Sequence, residues 1–425
     1  MNNQRLELVA DFYEYTMANG YFNKNMEDRI AYFDVFFRKV PDEGGYAIVA
    51  GLEQIINYIR NLSFDEEDIS YLRKQNKFSE EFLNYLENFR FTGDIWAIPE
   101  GTVVFPNEPL ITVKAPIIQA QLLETMLLLT TNHQSLIATK TSRIVREAQG
   151  RPVMEFGARR AHGINAAVEG ARAAIIGGAV GTSCTLSAKE FNVPASGTMA
   201  HSWIQSFDSE YEAFKAYAEL YPDDCTFLID TYNTIESGLS NAIKVFNEVL
   251  KPKGYRPKAV RLDSGDLAYL SKKVRKILDE AGYEDCKICA TNSLDEYLIK
   301  SLIEQDAKID LFGVGENLIT AKSEPVFGGV YKLVALEKDK KIVPKIKVSE
   351  NTAKVTNPSF KKVYRFYDNE TKKAIADVIT LADEIIDERE YMIFDPQNPW
   401  KKKVLKDYSI RLLQEKIFEE RKINI

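Results

Sequence analysis

Three side chains suited to acid–base or nucleophilic chemistry follow apolar, strand-like runs in the middle of the sequence. His201 lies among small residues in the segment 196–202, and histidine is the usual nucleophile or base near neutral pH. Asp230 and Asp263 end two later strand-like runs, and either carboxylate is a candidate to orient the imidazole ring. The pattern predicts a functional histidine supported by an acidic side chain.

Groups that bind anions follow two other strand-like runs. Arg159 and Arg160 carry planar guanidinium forks, which suit bidentate recognition of a phosphate or a carboxylate. Gly313 and Gly315 lie between a strand-like run and a possible helix start, where bare backbone amides bind phosphate. Taken alone, the arginine pair could equally be part of a salt-bridged surface, and the glycine pair could equally form only a tight turn. Together the pairs predict an anionic, phosphorylated substrate.

Parallel strands would bring these side chains together, and the sequence from about residue 151 shows the alternation of strands and helices that such a sheet requires. Apolar runs alternate with amphipathic helical segments in seven units. The predicted strands are 153–156, 179–184, 193–197, 226–230, 259–262, 287–290 and 310–312. Such units in series imply parallel strands with helical crossovers, whose carboxyl ends meet on one rim. We predict an α/β fold with an irregular (β/α) barrel of TIM-like type; an open doubly wound sheet is the alternative.

The flanking sequence predicts a second α/β domain, built from the N- and C-terminal segments. The predicted limits are 1–125 for the N-terminal segment, 126–330 for the barrel and 331–425 for the C-terminal segment, which we expect to end in a charged helix. A long amphipathic helix is predicted over about 119–148. Short polar residues predict the starts of three barrel helices, namely Thr234, Ser264 or Asp266, and Ser293.

Composition argues against several classes of protein. The 425 residues carry a formal charge of −7, whereas nucleic-acid binders and membrane-surface proteins usually need a positive field. No apolar run approaches the ~20 residues that cross a bilayer, and the first residues carry no secretory signal. The four cysteines include one CxxC spacing, Cys286 to Cys289, in an apolar run, which favours buried reduced thiols over a zinc site. We expect a cytoplasmic protein without nucleic-acid or membrane partners.

Motifs over most of the chain resemble those of nicotinate phosphoribosyltransferases, in the same order. They are DFYEYTM (11–17), FR (37–38) with GGYA (44–47), NHQSLIATK (132–140), FGARRAH (156–162), SGTMAH (196–201), VRLDSGD (260–266), FGVG (312–315) and GGVYKL (328–333). The resemblance implies an enzyme that joins nicotinate to phosphoribosyl pyrophosphate and forms nicotinate mononucleotide and pyrophosphate, the first step of NAD salvage from nicotinate. It also implies ATP as co-substrate, Mg²⁺ as cofactor and a homodimer with shared active sites.

The resemblance also implies roles for individual residues. His201 would be phosphorylated by ATP, Asp230 would hold its ring, and Asp263 would lie near the ribose and the magnesium of the pyrophosphate. The implied nicotinate pocket consists of Tyr13 (from a second subunit), Phe156, Arg159, Thr198 and Arg261. The implied phosphate-binding residues are Arg160, Gly313, Gly315 and Glu316.

Two positions bear on the substrate. Glu316 stands where many members of the family have threonine, which puts a negative charge near the implied phosphate site. Ungapped counting from Arg159 places Thr182 where the sister family acting on nicotinamide has an aspartate. An acid there would repel a carboxylate, so Thr182 favours nicotinate. A nicotinamide or quinolinate phosphoribosyltransferase, and a non-catalytic barrel that binds phosphorylated ligands, are the alternatives.

Overall fold

The computed structural model describes residues 6–348, 350, 355–387, 389–396, 398–419 and 422–423 of the chain. In this part of the chain two compact units form. The segments before residue 136 and after residue 325 make the first unit, and Leu136–Pro325 makes the second. The predicted segments 1–125, 126–330 and 331–425 remain a prediction about domains. None of the described helices combines the length and the apolar character that crossing a lipid bilayer requires.

The N-terminal part of the first unit alternates short helices with strands. Its helices are α1 (Phe12–Phe22), α2 (Leu52–Asn61), α3 (Glu66–Lys74), α4 (Glu80–Glu87) and α5 (Ile117–Gln121). Its strands are β1 (Ile30–Phe37), β2 (Ala47–Ile48), β3 (Asp94–Ala97), β4 (Val103–Val104) and β5 (Ile111–Pro116). Helices α3 and α4 begin after Asp65 and Ser79, whose side chains accept hydrogen bonds from first-turn amides.

A long helix, α6 (Glu124–Glu147), continues the chain from the first unit into the second. The single helix predicted over 119–148 is therefore two helices, because the chain turns at Leu122 and Leu123 between α5 and α6. Both leucines are buried. An apolar pattern that continues through a buried turn does not distinguish one helix from two.

The second unit alternates parallel strands with helices. Its strands are β6 (Val153–Glu155), β7 (Gly181–Thr182), β8 (Thr226–Leu228), β9 (Ala259–Leu262), β10 (Lys287–Ala290) and β11 (Leu311–Val314). Its α-helices are α7 (Ile164–Ile176), α8 (Thr185–Phe191), α9 (His201–Gln205), α10 (Glu210–Leu220), α11 (Ser240–Val245), α12 (Leu267–Glu280), α13 (Glu296–Glu304) and α14 (Glu316–Ile319). The π-helical segments Thr234–Leu239 and Phe246–Leu250 extend α11 at both ends, so that one continuous helical stretch runs from Thr234 to Leu250.

The six strands of the second unit form one parallel sheet in the order β7-β6-β11-β10-β9-β8. The first strand of the series pairs with the last, since Val153 lies opposite Phe312. The predicted third strand, 193–197, is wrong, because only an isolated bridge joins Ala195 to Thr182. Proline at position 194 has no N–H to donate to a ladder, which limits pairing there. The sheet is a parallel half-barrel in a mixed α/β fold, and its TIM-like character stays a prediction.

The sheet has a helix-facing side and an inner side, which the alternation of side chains along each strand defines. Phe227 stacks between Phe214 and Phe246, with ring centroids 4.5 and 5.4 Å away, and both partners lie on helices. Phe227 therefore marks the helix-facing side. The next residue, Leu228, points to the inner side, and Arg261 lies directly opposite it in β9.

The helices of the second unit begin after short polar capping residues, as predicted, but two of the three capping residues are not the predicted ones. Asp266, one of the two predicted candidates, caps α12. The other two predictions are wrong by one or two residues: Asn233 rather than Thr234, and Asp295 rather than Ser293, accept the first-turn hydrogen bonds. Neighbouring polar residues have similar capping preferences, so the sequence does not select among them.

Strands make up all the regular structure described after residue 325. They are β12 (Gly329–Lys338), β13 (Lys341–Pro344), β14 (Lys361–Asp368), β15 (Ala374–Leu381), β16 (Glu390–Asp395), β17 (Asn398–Lys406), β18 (Tyr408–Leu412), β19 (Glu415–Glu419) and β20 (Lys422–Ile423). The predicted terminal charged helix is wrong, because β19 pairs with β3 and buries Ile417 and Phe418. Strands from both ends of the chain share the sheet β13-β12-β1-β5-β3-β19-β20.

Candidate active site

The inner side of the half-barrel carries an arginine whose hydrogen-bonding capacity is only partly used. Arg261 Nη1 donates a 2.6 Å hydrogen bond to Thr198 Oγ1. Arg261 Nε is buried and has no hydrogen-bond partner among the described residues. A buried donor without an acceptor costs about 1–3 kcal/mol. Since guanidinium donors favour carboxylates and phosphates, the geometry indicates a place for an anionic ligand.

The loop that carries Thr198 crosses the inner side of the sheet. Ser196 Oγ lies 2.9 Å from Met154 Sδ in β6, whereas Thr198 contacts Arg261 in β9. Two residues of extended chain span about 7 Å at most. The inner-side residues of β6 and β9 therefore face one narrow common space.

Phe156 lies at the same space, beside β11. A Cβ at Gly313 would come within 2.5 Å of the Phe156 ring and within 2.8 Å of Thr291 Cγ2. Glycine at position 313 therefore makes room for the aromatic ring against the strand. The structure thus brings together Phe156, Thr198 and Arg261, three of the residues predicted for the nicotinate pocket.

His201 begins α9 and lies between a hydroxyl group and a carboxylate. Its Nδ1 is 3.1 Å from Thr231 Oγ1, and its Nε2 is 3.7 Å from Asp263 Oδ2. Asp263 also accepts a hydrogen bond from the Thr291 hydroxyl, which fixes the carboxylate beside the ring. The imidazole is 40% exposed, so a substrate can reach it. This arrangement suits a histidine that acts as a nucleophile or base.

Asp230 acts on the backbone rather than on the imidazole, which corrects its predicted role of holding the ring. Both Asp230 and His201 are described, and no hydrogen bond or ion pair joins them. Asp230 Oδ2 accepts hydrogen bonds from the Asp263 amide (2.9 Å) and from Ser264 Oγ (2.6 Å). Asp230 thus holds the segment that carries the carboxylate partner of the ring. The next residue, Thr231, makes the contact predicted for Asp230.

Thr182 is part of the helix-facing side, so its predicted position at the substrate is wrong. It is fully buried, and its hydroxyl donates a 2.6 Å hydrogen bond to Glu155 Oε2. Burial also raises the pKa of Glu155, whose other oxygen accepts a hydrogen bond from the Gly157 amide. The following residue, Ser183, is exposed and extends the pairing with β6, which puts it on the same side as Phe156.

The two predicted arginines after β6 differ in their surroundings. Arg159 is exposed, and no carboxylate of the described chain pairs with it. Arg160 Nε lies 3.8 Å from Glu316 Oε2, and Lys322 Nζ lies 2.8 Å from Glu316 Oε1. The hydrogen bond from Lys322, together with the nearby charge of Arg160, lowers the pKa of Glu316. Glu316 is therefore a carboxylate balanced by two cations, and it brings no unpaired negative charge to this loop.

The glycine pair at the end of β11, with Gly313 in the strand and Gly315 directly after it, leaves little space beside the backbone. A Cβ at Gly315 would lie 3.1 Å from Phe156 O, so the segments 156–157 and 313–315 lie close together. This close approach explains why glycine occurs at these positions without any ligand. The phosphate contacts predicted for Arg160, Gly313, Gly315 and Glu316 stay predictions.

Tyr13 lies in the first unit, near the start of α1. Its side chain is 44% exposed, and Glu124 lies close to its hydroxyl. Partial burial, followed by the charge of Glu124, raises the pKa of the phenol. The contact of Tyr13 with nicotinate in a second subunit stays a prediction.

Asp230 and Asp263 are the carboxylates that fit Mg²⁺. Proteins usually hold this ion with one or two carboxylates, substrate phosphates and water. Asp230 Oδ1 is buried without a hydrogen-bond partner, and the Asp263 side chain is 34% exposed beside His201. In the described ranges no cluster of three or more His, Cys, Asp or Glu residues offers a site made of protein ligands alone. The two aspartates therefore suit a metal ion that arrives with substrate oxygens.

Two residues that complete this site were missed from the sequence, Thr231 and Thr291, which contact the predicted histidine and aspartate. Ser183, which the sequence places with Thr182 at the end of the second predicted strand, lies beside the predicted phenylalanine. Thr231 directly follows Asp230, which the sequence did single out. A small hydroxyl residue just after a strand-like run is the signal that could have found both threonines.

Comparison with known proteins gives one consistent family. The model of the nicotinate phosphoribosyltransferase N-terminal domain matches residues 8–132, and the model of the nicotinate phosphoribosyltransferase family matches residues 152–380. The model of the nicotinate phosphoribosyltransferase C-terminal domain matches residues 360–424. Nicotinate phosphoribosyltransferase of Bacillus subtilis is 46% identical over 416 residues, which cover 98% of this chain and 84% of that protein. Nicotinate phosphoribosyltransferase pncB2 of Mycobacterium tuberculosis is 46% identical over 360 residues, or 84% of this chain and 75% of that protein.

Solved structures agree with this assignment. The crystal structure of human nicotinic acid phosphoribosyltransferase has a TM-score of 0.85 at 26% identity and covers 97% of this chain and 89% of its own. Nicotinate-nucleotide pyrophosphorylase from Pyrococcus furiosus, at 24% identity and a TM-score of 0.75, shares the fold over 100% of this chain and 93% of its own. Fold and site define the class, a mixed α/β protein with a parallel half-barrel sheet and a partly unpaired arginine on its inner side. The chain belongs to the nicotinate phosphoribosyltransferase family.

Proposed function

We propose that this chain transfers the phosphoribosyl group of phosphoribosyl pyrophosphate to nicotinate, coupled to ATP hydrolysis through phosphorylation of His201. The products are nicotinate mononucleotide, pyrophosphate, ADP and phosphate. The observation that carries the proposal is the partly unpaired guanidinium of Arg261, held by Thr198 in the same narrow space as Phe156. A flat aromatic acid fits this space, because the ring can stack on Phe156 while its carboxylate binds Arg261.

In the proposed transfer step, the ring nitrogen of nicotinate attacks the anomeric carbon of the sugar. The new N–C bond forms as the C–O bond to pyrophosphate breaks, and the leaving group takes the electron pair. Positive charge develops on the ribose, and a carboxylate beside it, such as Asp263, stabilises that charge. Asp230 keeps Asp263 in place through its backbone amide. Mg²⁺, held by these aspartates and the donor, would offset the charge of the leaving pyrophosphate.

In the proposed coupling step, an imidazole nitrogen of His201 attacks the γ-phosphorus of ATP, and ADP leaves. Hydrolysis of the phosphohistidine by water then releases phosphate. Thr231 and Asp263 on the two sides of the ring support this role, since they orient it and stabilise the positive charge that phosphorylation brings. We further propose a homodimer in which Tyr13 of one subunit completes the nicotinate pocket of the other.

The position of Ser183 leads to a prediction about the choice of base. Ser183→Asp adds a carboxylate to the inner side beside Phe156, close to the proposed carboxylate site of nicotinate. At ~6 Å and an effective dielectric constant of ~20, like charges repel by about 3 kcal/mol. We expect the KM for nicotinate to rise about tenfold to a hundredfold and the preference to shift towards nicotinamide, measured with both bases in competition.

Thr182→Val is the matched control for this variant. It removes a hydroxyl group on the helix-facing side, so it is expected to lower stability without changing the ratio of nicotinate to nicotinamide use. If Ser183→Asp left that ratio unchanged while Thr182→Val altered it, Thr182 would be the residue that faces the base.

Sharing of sites between subunits leads to a second prediction. Tyr13→Ala and His201→Ala, each inactive alone, should recover nicotinate-stimulated ATP hydrolysis when they are refolded together. Random pairing of equal amounts makes half of the dimers mixed, and each mixed dimer has one intact site, so about a quarter of the wild-type rate is expected. The absence of recovery at every mixing ratio would show that Tyr13 and His201 serve the same subunit.

A further inference from the structure

The loop between β10 and α13, 291–295, is held in a strained conformation. Asn292 has φ 81° and Ser293 has φ 52°, so two consecutive residues with side chains adopt left-handed backbone angles. For Ser293 this conformation costs about 1–2 kcal/mol, whereas asparagine adopts it more readily. Both side chains are exposed at the carboxyl end of β10. Strain of this kind persists only where the surrounding structure imposes it, and it is concentrated at functional sites.

Two contacts hold the beginning and the middle of this loop. The Thr291 hydroxyl donates a hydrogen bond to Asp263, the carboxylate beside His201. Asn317 Nδ2, on α14, donates hydrogen bonds to the carbonyl oxygens of Ser293 (2.9 Å) and Leu294 (3.2 Å). The loop is therefore connected to the candidate active site on one side and to the segment after β11 on another.

A buried ion pair holds the end of the loop. Glu296, the first residue of α13, has its Oε1 2.8 Å from Lys140 Nζ on α6. The two side chains are only 6% and 3% exposed. Lys140 Nζ also donates a 2.8 Å hydrogen bond to Ser323 Oγ. The pair thus fixes the helix start that follows the strained residues to two other segments of the second unit.

Stability alone does not account for this pair. Replacing a buried ion pair with apolar residues of similar volume is often neutral or stabilising, because desolvation offsets the attraction between the charges. Glu296 Oε2 is also buried without a hydrogen-bond partner, which adds to the cost. The pair does fix the position of the first turn of α13.

We propose that Lys140 and Glu296 are positioning residues that hold the loop 291–295 in its strained form, so that Asn292 and Ser293 bind the phosphorylated sugar. Neither member of the pair touches the substrate. The choice of ligand rests on the proposed function, because the loop begins at the hydrogen bond to Asp263. The predicted effect is therefore on the sugar donor and not on nicotinate.

The test replaces both charges together. Lys140→Met with Glu296→Met keeps the volume and leaves no buried charge unpaired. We expect the melting temperature to stay near that of the wild type, the KM for phosphoribosyl pyrophosphate to rise about tenfold, and the KM for nicotinate to change less than twofold. Hydrogen exchange of the amides in 292–296 should become about tenfold faster. Glu296→Asp, which keeps the charge but shortens the reach, should give a smaller rise in the same KM.

The first unit offers a matched control, the buried pair Asp34–Lys361, with Oδ2 and Nζ 2.8 Å apart and the side chains 2% and 5% exposed. Asp34→Leu with Lys361→Met should leave the KM for the sugar donor and the exchange of 292–296 unchanged. If the Lys140 and Glu296 variants fold and their loop exchange or donor KM stays at the wild-type value, the proposal is overturned. A wild-type protein that makes no nucleotide would instead contradict the proposed function, and faster loop exchange in the double variant would still support the positioning role.

Discussion

Replacing His201 with alanine is expected to abolish nicotinate-stimulated ATP hydrolysis, with a fall of roughly 10³-fold or more, as for the loss of other enzyme nucleophiles. The acid-labile phosphate that labelled ATP leaves on the protein should disappear with it. A weak, ATP-independent transfer to nicotinate should remain, because Arg261, Thr198 and Phe156 are unchanged. The measurement is phosphate release and label incorporation, with and without nicotinate.

The His201 variant should fold normally, since the imidazole is partly exposed and makes one hydrogen bond. An unchanged melting temperature and an unchanged affinity for nicotinate are the controls. Thr231→Val should give an intermediate loss, because it removes the contact to Nδ1 and leaves Asp263 in place. ATP turnover at the wild-type rate in the alanine variant would refute the assignment of His201.

Replacing Arg261 with alanine is the second large effect. The change removes charge-assisted hydrogen bonds to the proposed carboxylate of nicotinate, which are worth about 1.5–3 kcal/mol. We expect the KM for nicotinate to rise about tenfold to 150-fold, with a smaller effect on nicotinamide, which has no charge for the guanidinium to attract. Steady-state kinetics with each base separates these outcomes.

Arg256 provides a matched control for Arg261, because it precedes the same strand at its opposite end and pairs with Asp285 on the surface. Arg256→Ala should leave both Michaelis constants unchanged. An Arg261 variant with the wild-type KM for nicotinate would remove Arg261 from the pocket. Equal losses with nicotinate and nicotinamide would show that the guanidinium does not bind a carboxylate.

Much of the second unit could be predicted from the sequence, because parallel strands are short apolar runs separated by helices of regular length. Six of the seven predicted strands form, and their carboxyl ends carry the predicted residues. The remaining predicted strand, 193–197, does not form. Its apolar residues are not sufficient for strand pairing, because Pro194 has no backbone N–H to donate to a neighbouring strand.

The errors at the site are mostly errors of one residue. Thr182 and Ser183 are neighbours, but alternation along a strand points one towards the helices and the other to the inner side. Asp230 and Thr231 are also neighbours, in the loop that follows β8, and only Thr231 reaches the imidazole. Side-chain direction depends on register with the neighbouring strands, which a single sequence does not reveal.

The C-terminal segment was the least predictable part. A charged ending suggested a helix, but the chain pairs as β19 with β3, far away in sequence. Ile417 and Phe418 are buried by segments that are distant in sequence, so the local composition of this segment wrongly predicted a helix. The buried pair of Lys140 and Glu296 was likewise invisible, because its members are separated by more than a hundred residues.

We propose that an aromatic acid and a sugar donor meet on the inner side of the half-barrel, beside Phe156, Arg261 and Asp263. The most direct test is to incubate the purified protein with phosphoribosyl pyrophosphate, ATP, Mg²⁺ and equal amounts of ring-labelled nicotinate, unlabelled nicotinamide and unlabelled quinolinate, and to quantify every nucleotide formed together with pyrophosphate. We expect labelled nicotinate mononucleotide at the specific activity of the nicotinate supplied, with one pyrophosphate for each molecule made, because nicotinate mononucleotide formed from quinolinate by loss of CO2 would carry no label. Nucleotide formed mainly from another base, or none from any, would contradict it.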